Sequence, residues 1–173
     1  MAALKLGDPA PVFELPGIDG RSHSLAEHEG TPVAVVFSCC HCPYVVAWDD
    51  RLNDAARAYD GRAGFLVVNP NADYLGDSVE DMERRAEEKG FVFPFLYDET
   101  QEVATAYGAV RTPEVFVFDA RHRLVYHGAP DSSHTDPAAA EPYLLPALDA
   151  ALTGTEPAVT QTPPVGCTIK WQR

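Results

Sequence analysis

The run Val33-Ala34-Val35-Val36-Phe37 is apolar at every position, and Ser38-Cys39-Cys40-His41-Cys42-Pro43 follows it at once. Consecutive, mostly β-branched apolar residues fit a strand buried on both faces, which needs a sheet with helices packed against each side. The segment after the cysteines, beginning Tyr44-Val45-Val46-Ala47-Trp48, reads as a helix. Its spacing predicts a helix from Cys42 to about Tyr59, with Pro43 tolerated in the first turn. A strand that runs into Cys39-x-x-Cys42 at a helix start is the setting in which that motif carries redox chemistry.

The reason is the thiolate. A cysteine at a helix N-terminus faces unpaired backbone N–H groups and the positive end of the helix dipole, and both favour the anion. On this reading Cys39 is the activated nucleophile, with a pKa lowered from ~8.5 towards the ~3.5–7.5 found at such positions. Cys42, one turn on, closes the internal disulfide and releases the product. His41, between them, stabilises the thiolate as a cation or a hydrogen-bond donor.

Composition narrows the setting. A chain of 173 residues predicts a single domain over 1–173, with residues 154–173 as an extended tail. The formal net charge of −13 argues against nucleic acid or an anionic membrane as partner. The opening Met1-Ala2-Ala3-Leu4-Lys5-Leu6-Gly7-Asp8-Pro9 lacks the apolar core of a signal peptide, and no later run is long enough to span a bilayer. The expectation is a cytoplasmic protein, where four cysteines point to catalysis or metal binding and away from a disulfide framework.

Along the chain, Asp19-Gly20 predicts a hairpin after Val12–Leu15, and Ser24-x-x-Glu27 has the spacing of a capping box. Phe65–Asn69 reads as a second buried strand, Ser78 to Lys89 as a charged helix, Phe93–Tyr97 as a strand and Glu99–Tyr107 as a short helix. Glu114–Asp119 and Leu124–Gly128 form a second hairpin, and Tyr143–Leu152 a last helix. Helices alternate with strands first and a hairpin closes the sheet, so the expected class is α/β with a central mixed sheet.

Three features together resemble the thioredoxin superfamily, and more narrowly its peroxiredoxin-like (AhpC/TSA, redoxin) branch. They are the strand-Cys39-x-x-Cys42-helix unit, Thr112-Pro113 opening a later strand, and the entry Gly7-Asp8-Pro9-Ala10-Pro11-x-Phe13-x-Leu15. Cys42-Pro43-Tyr44-Val45 and the tail Gly166-Cys167-Thr168-Ile169-Lys170-Trp171 resemble a group of uncharacterised bacterial thioredoxin-family proteins. The resemblance implies a thioredoxin-like fold with an N-terminal hairpin and a docked tail. It implies a cis-proline at Pro113 beside the cysteines, with Thr112 offering backbone groups to a bound substrate chain. It also implies a disulfide or peroxide substrate and a thiol reductant such as thioredoxin or glutathione, with no cofactor.

Some positions depart from the branch. If Cys42 matches the peroxidatic position, Cys39 replaces its usual threonine and Val35 its proline, while Pro113 falls where an arginine is usual and Arg111 is the nearby substitute. Thioredoxin's buried acid has no counterpart in Val33–Val36, which leaves Glu114 as the proton acceptor to consider. Cys40 reads either as an unpaired thiol or as a site for mixed disulfides. Cys167 reads either as a buried small hydrophobe or as a third redox thiol, with Ile169 and Trp171 anchoring the tail. A zinc or copper protein using Cys39, Cys42 and a histidine is the reading from another class; a structural zinc site needs four ligands, and with no second Cys-x-x-Cys they would have to be recruited from His41, Cys40 and Cys167. His134, Arg84-Arg85 and Arg121-His122-Arg123 read as solvated surface.

Overall fold

A computed structural model describes residues 3–172. At its centre strand β3 (Val33–Phe37), every residue of it buried, pairs in parallel with β4 (Gly64–Asn69) and antiparallel with β7 (Glu114–Phe118). Strand β5 (Phe95–Tyr97) lies parallel beyond β4, and β8 (Leu124–Gly128) antiparallel beyond β7. The order is β5-β4-β3-β7-β8, the mixed sheet expected. The hairpin β1 (Glu14–Pro16) and β2 (Ser22–Ser24) turns at Asp19-Gly20 as expected and touches the β5 edge through a Gly17–Leu96 bridge.

The period of two along each strand sorts residues between two hydrophobic layers. Ala34, Val36, Val115 and Val117 face one side. There they meet Trp48 and Leu52 of helix α1 (Pro43–Ala58), Met82 of α2 (Val79–Lys89), and Leu144, Ala147 and Leu148 of α4 (Leu144–Thr153). Val33, Val35, Phe37, Phe116 and Phe118 face the other, against Leu15, Leu25 and Tyr107 of α3 (Glu102–Tyr107). The Tyr107 ring packs edge-on against Phe37, Phe116 and Phe118. No helix among the described residues is long and apolar enough to cross a membrane.

Local chemistry sets the ends of the helices. Ser78 accepts from the Asp81 N–H while the Asp81 carboxylate accepts from the Ser78 N–H, a reciprocal cap that starts α2. Gly90, at φ 62, ends it in the left-handed conformation that glycine adopts without penalty. Ser24 departs from expectation: only a 3₁₀ turn (Leu25–His28) follows it, and its side chain caps nothing.

Several surface assignments also change. Arg85 is drawn to the buried Asp49, its Nε donating at 2.8 Å, so α2 is tied to α1 by a charge pair shielded from water. His122 reaches the carbonyls of His28 and Thr31 at 2.9 and 3.1 Å. His134 lies over Tyr44 and Trp48, with ring centroids 4.5 and 5.6 Å away, and its carbonyl accepts from Arg51. Arg84 stays on the surface.

Leu66 is fully buried in β4, where the second layer meets the sheet. Leu66→Ala is expected to destabilise the protein by about 2–5 kcal/mol. A urea titration checks this as a lower midpoint at unchanged slope.

Candidate functional site

The site forms where β3 leaves the sheet. The Ser38 N–H still bonds to the Val68 carbonyl at 2.8 Å; after it the chain turns, and α1 begins at Pro43. Proline disfavours helical backbone in the residue before it, so Cys42 is held extended (φ −71, ψ 126) and becomes the N-cap. The cysteine at the helix end is therefore Cys42, with Cys39 a step further back along the loop.

This placement favours an order of acidity opposite to the one expected from the sequence. The Cys42 thiol is pushed down to about 4, first by the side-chain hydrogen bond from Cys39. The Cys167 thiol and the backbone N–H groups of Val45 and Cys167 add to this, against the cost of burial. Cys39 moves the opposite way: its bond to Cys42 raises it, as do burial and the negative Asp77. Among the three sulfurs, these contacts favour the negative charge on Cys42 over Cys39 and Cys167.

Thr112 holds both members of the pair. Its Oγ1 lies 3.3 Å from Cys39 Sγ, and its carbonyl lies 3.3 Å from Cys42 Sγ. The Thr112–Pro113 bond is cis, as the resemblance implied. Thr112 belongs to strand β6 (Arg111–Thr112), whose pairing edge is occupied by the chain's own tail. Strand β9 (Cys167–Thr168) runs antiparallel to it, with Thr112 opposite Cys167, and brings Cys167 Sγ to 2.6 Å from Cys42 Sγ.

The tail is seated on both sides of that contact. A side chain on Gly166 would put its Cβ 2.2 Å from the Thr112 carbonyl oxygen, so only glycine allows this approach. Beyond Cys167, the Ile169 N–H donates to Val110 O at 3.1 Å and the Ile169 side chain is buried in the second layer. Asn71 and Gln101 then bind the Lys170 and Gln172 backbone. Trp171, expected as an anchor, is 46% exposed, whereas Ile169 is buried and Cys167 packs against Cys39, Cys42 and Val45.

Glu114 proves to be a scaffold residue. Its Oε2 accepts from the Val110 and Arg111 N–H groups at 2.7 and 2.8 Å, and its Oε1 meets His127 Nε2 at 2.6 Å. With both oxygens committed, the buried carboxylate fixes the loop that presents Thr112, and it bonds to no sulfur. The positive charge of Arg111 acts on Cys167, whose pKa it lowers.

His41 pairs through Nδ1 with the fully buried Asp77, a residue that sequence reasoning passed over. Asp77 also accepts from the Cys40 N–H at 2.5 Å, so it ties down the two residues between Cys39 and Cys42. Burial raises the Asp77 carboxyl, while Cys40 and His41 pull it back. Only its place just before the α2 cap marked Asp77 in the sequence, and that is a structural signal. Cys40 is half-buried against the first layer, and burial together with Asp77 pushes its thiol up to about 12, the behaviour of an inert bystander.

Among the described residues, Cys39, His41 and Asp77 form a group able to hold a metal ion, with ligand atoms within 4.8 Å of one another. It includes one cysteine of the pair and replaces the other with a carboxylate.

A model of the AhpC/TSA family matches residues 6–127. The thiol-disulfide oxidoreductase ResA of Geobacillus thermodenitrificans is 28% identical over 117 residues, 68% of this chain and 65% of that protein's length. A Mycobacterium tuberculosis protein provisionally named a peroxiredoxin is 33% identical over 115 residues, 64% of this chain and 68% of its own. A crystal structure of a hypothetical protein from Sinorhizobium meliloti superposes with a TM-score of 0.89 at 35% identity, covering 99% of this chain and 97% of that one.

In the reduced protein, Cys42 is a thiolate above about pH 4 and a thiol below it. An unfolded cysteine loses its proton only near ~8.5, so between the two values the unfolded chain binds the extra proton. The contribution of Cys42 to stability therefore rises with pH across that window and is lost as pH falls through about 4. An ultraviolet thiolate titration should show one step at the acidic end, absent in Cys42→Ser and present in Cys40→Ser.

Proposed function

The chain belongs to the AhpC/TSA family, and from that membership we propose a thiol–disulfide oxidoreductase whose redox pair is Cys39 and Cys42, acting in cytoplasmic redox homeostasis. One observation carries the reading: a cysteine at the α1 N-cap whose thiol is pushed down, with a second cysteine held by the same Thr112, both set against the loop that ends in a cis-proline. The fold and the ResA likeness support it.

The Cys42 thiolate attacks one sulfur of a substrate disulfide and the other leaves as thiolate. Cys39, losing its proton to that leaving thiolate, then attacks Cys42 Sγ and displaces the second substrate sulfur. One protein thiolate and one thiol become a disulfide; the substrate gains two electrons and the one proton of Cys39, and its second sulfur leaves as a thiolate that water protonates. His41 and Asp77 act as positioning residues that fix the loop between the cysteines. A small thiol or a thioredoxin-type dithiol resets the pair.

A thiol peroxidase is the second reading, favoured by the relative named a peroxiredoxin. There Cys42 would cleave the O–O bond, becoming sulfenic acid before Cys39 condenses with it to release water. Against it stand Cys39 in the usual threonine position and the action of Arg111 on Cys167.

Steady-state reduction of a protein disulfide is expected to fall to background in Cys42→Ser. Wild type treated with one equivalent of substrate should carry a Cys39–Cys42 bond by mass spectrometry. Turnover that survives in Cys42→Ser overturns the assignment; rapid peroxide consumption with only slow disulfide turnover selects the peroxidase. Stoichiometric metal in protein purified under reducing conditions would select the Cys39–His41–Asp77 group instead.

A further inference from the structure

We propose that Cys167 is a third redox thiol, which takes over the Cys39–Cys42 disulfide by attacking Cys42 and so carries the oxidised state out to a sulfur that solvent can reach. This rests on the thiol–disulfide reading and extends it to a residue outside the Cys-x-x-Cys motif.

Position is the first support. Cys167 Sγ lies 2.6 Å from Cys42 Sγ, closer than non-bonded thiols pack, against a bond of about 2.05 Å. The approach is built into the backbone: the β6–β9 register, the absence of a side chain at Gly166, and the burial of Ile169 all hold the tail in line. Cys42 thus meets Cys167 directly, while Thr112, whose carbonyl it faces, holds Cys39 through its hydroxyl.

Access is the second. Cys39 and Cys42 are 2% and 0% exposed, while Cys167 is partly exposed. With the tail docked, β9 occupies the strand edge that an incoming chain would need. A reductant therefore meets Cys167 before the pair beneath it.

Charge is the third, and it gives the exchange a direction. The Cys167 thiol is pushed up to about 11, first by burial and then by its hydrogen bond to Cys42 and the Cys42 negative charge, while Lys170 and Arg111 pull it down. Once Cys42 is bonded to Cys39, both effects of Cys42 vanish, and burial remains opposed by the two cations. The tail thiol gives up its proton more readily when there is a disulfide for it to attack than in the reduced protein.

The step balances without an outside oxidant. The Cys167 thiolate attacks Cys42 Sγ, the Cys42–Cys167 bond forms as the Cys39–Cys42 bond breaks, and Cys39 leaves as a thiolate that takes up the proton Cys167 gave up. One disulfide is exchanged for another. An external thiolate then attacks Cys167 Sγ and releases Cys42 as thiolate, and a second thiol frees Cys167, so that two reductant thiols leave as a disulfide.

The test uses the full chain with Cys40→Ser, so that each bond is assigned uniquely. The protein is poised in glutathione mixtures, quenched in acid, alkylated, and digested with trypsin without reduction. Cys39 and Cys42 fall in peptide 22–51 and Cys167 in peptide 124–170, so the exchange product appears as these two peptides joined. Expected are both the internally bonded 22–51 and the joined species, with only the joined species after Cys39→Ser. Gly166→Val, which keeps the three thiols but lifts the tail, should lose the joined species and keep Cys39–Cys42. Cys167→Ser should still oxidise, and then be reduced by a small thiol more slowly than the Cys40→Ser parent.

Absence of the joined peptide at every poise, in Cys39→Ser as well, overturns the relay while leaving the Cys39–Cys42 pair standing. Unchanged reduction kinetics in Cys167→Ser do the same. A joined peptide in a protein that forms no Cys39–Cys42 bond and turns over no disulfide overturns the oxidoreductase reading, and the relay with it.

Discussion

Because β3 is covered on both faces and paired along both edges, its course through the protein is not negotiable. Slipping its register by one residue would exchange Ala34 and Val36 with Val35 and Phe37, forcing large side chains into the wrong layer. The strand must end where its last bonding partner ends, near Val68, and the cysteines are delivered to that point. On its other side β7 begins at Glu114, opposite Phe37. The loop bearing Thr112 therefore reaches the same end of the sheet as the cysteines, although about seventy residues separate them in sequence. The site follows from the packing of this one strand.

Within the site, proline sets the division of labour. Pro43 stands after the second cysteine, so the N-cap and its electrostatics go to Cys42. Cys39 is left facing Thr112 Oγ1 and, across the loop, the negative Asp77, which opposes a second charge. Two cysteines so close cannot both ionise; the helix end and its surrounding donors decide which one does. Asp77 keeps the intervening dipeptide in place through His41 and the Cys40 N–H, and it adds to the bias by disfavouring an anion on Cys39.

Local rules carried much of this architecture in the sequence. The all-apolar Val33–Phe37 run, the proline that starts α1, the Asp19-Gly20 turn and the Ser78 cap each act over a few residues, and each lies where reading the chain puts it. What was hidden depends on long-range contact. The β6–β9 pairing joins two-residue strands about 55 positions apart, too short for any periodic signal. Arg85 looks like one more surface charge until α2 packs on α1 and the buried Asp49 claims it. Reading the chain gives the helix end to Cys39, whereas Pro43 fixes the start of α1 so that Cys42 is the N-cap.

Thr112 stands beside all three cysteines: its hydroxyl faces the Cys39 sulfur, its carbonyl faces the Cys42 sulfur, and its backbone lies opposite Cys167 in the strand pair. A sulfur locked into a disulfide has no proton to share, so each pairing of the cysteines leaves Thr112 with a different set of neighbours able to donate. Its amide and hydroxyl resonances are therefore a built-in gauge, from which the protein's electron inventory can be followed while every cysteine remains unlabelled.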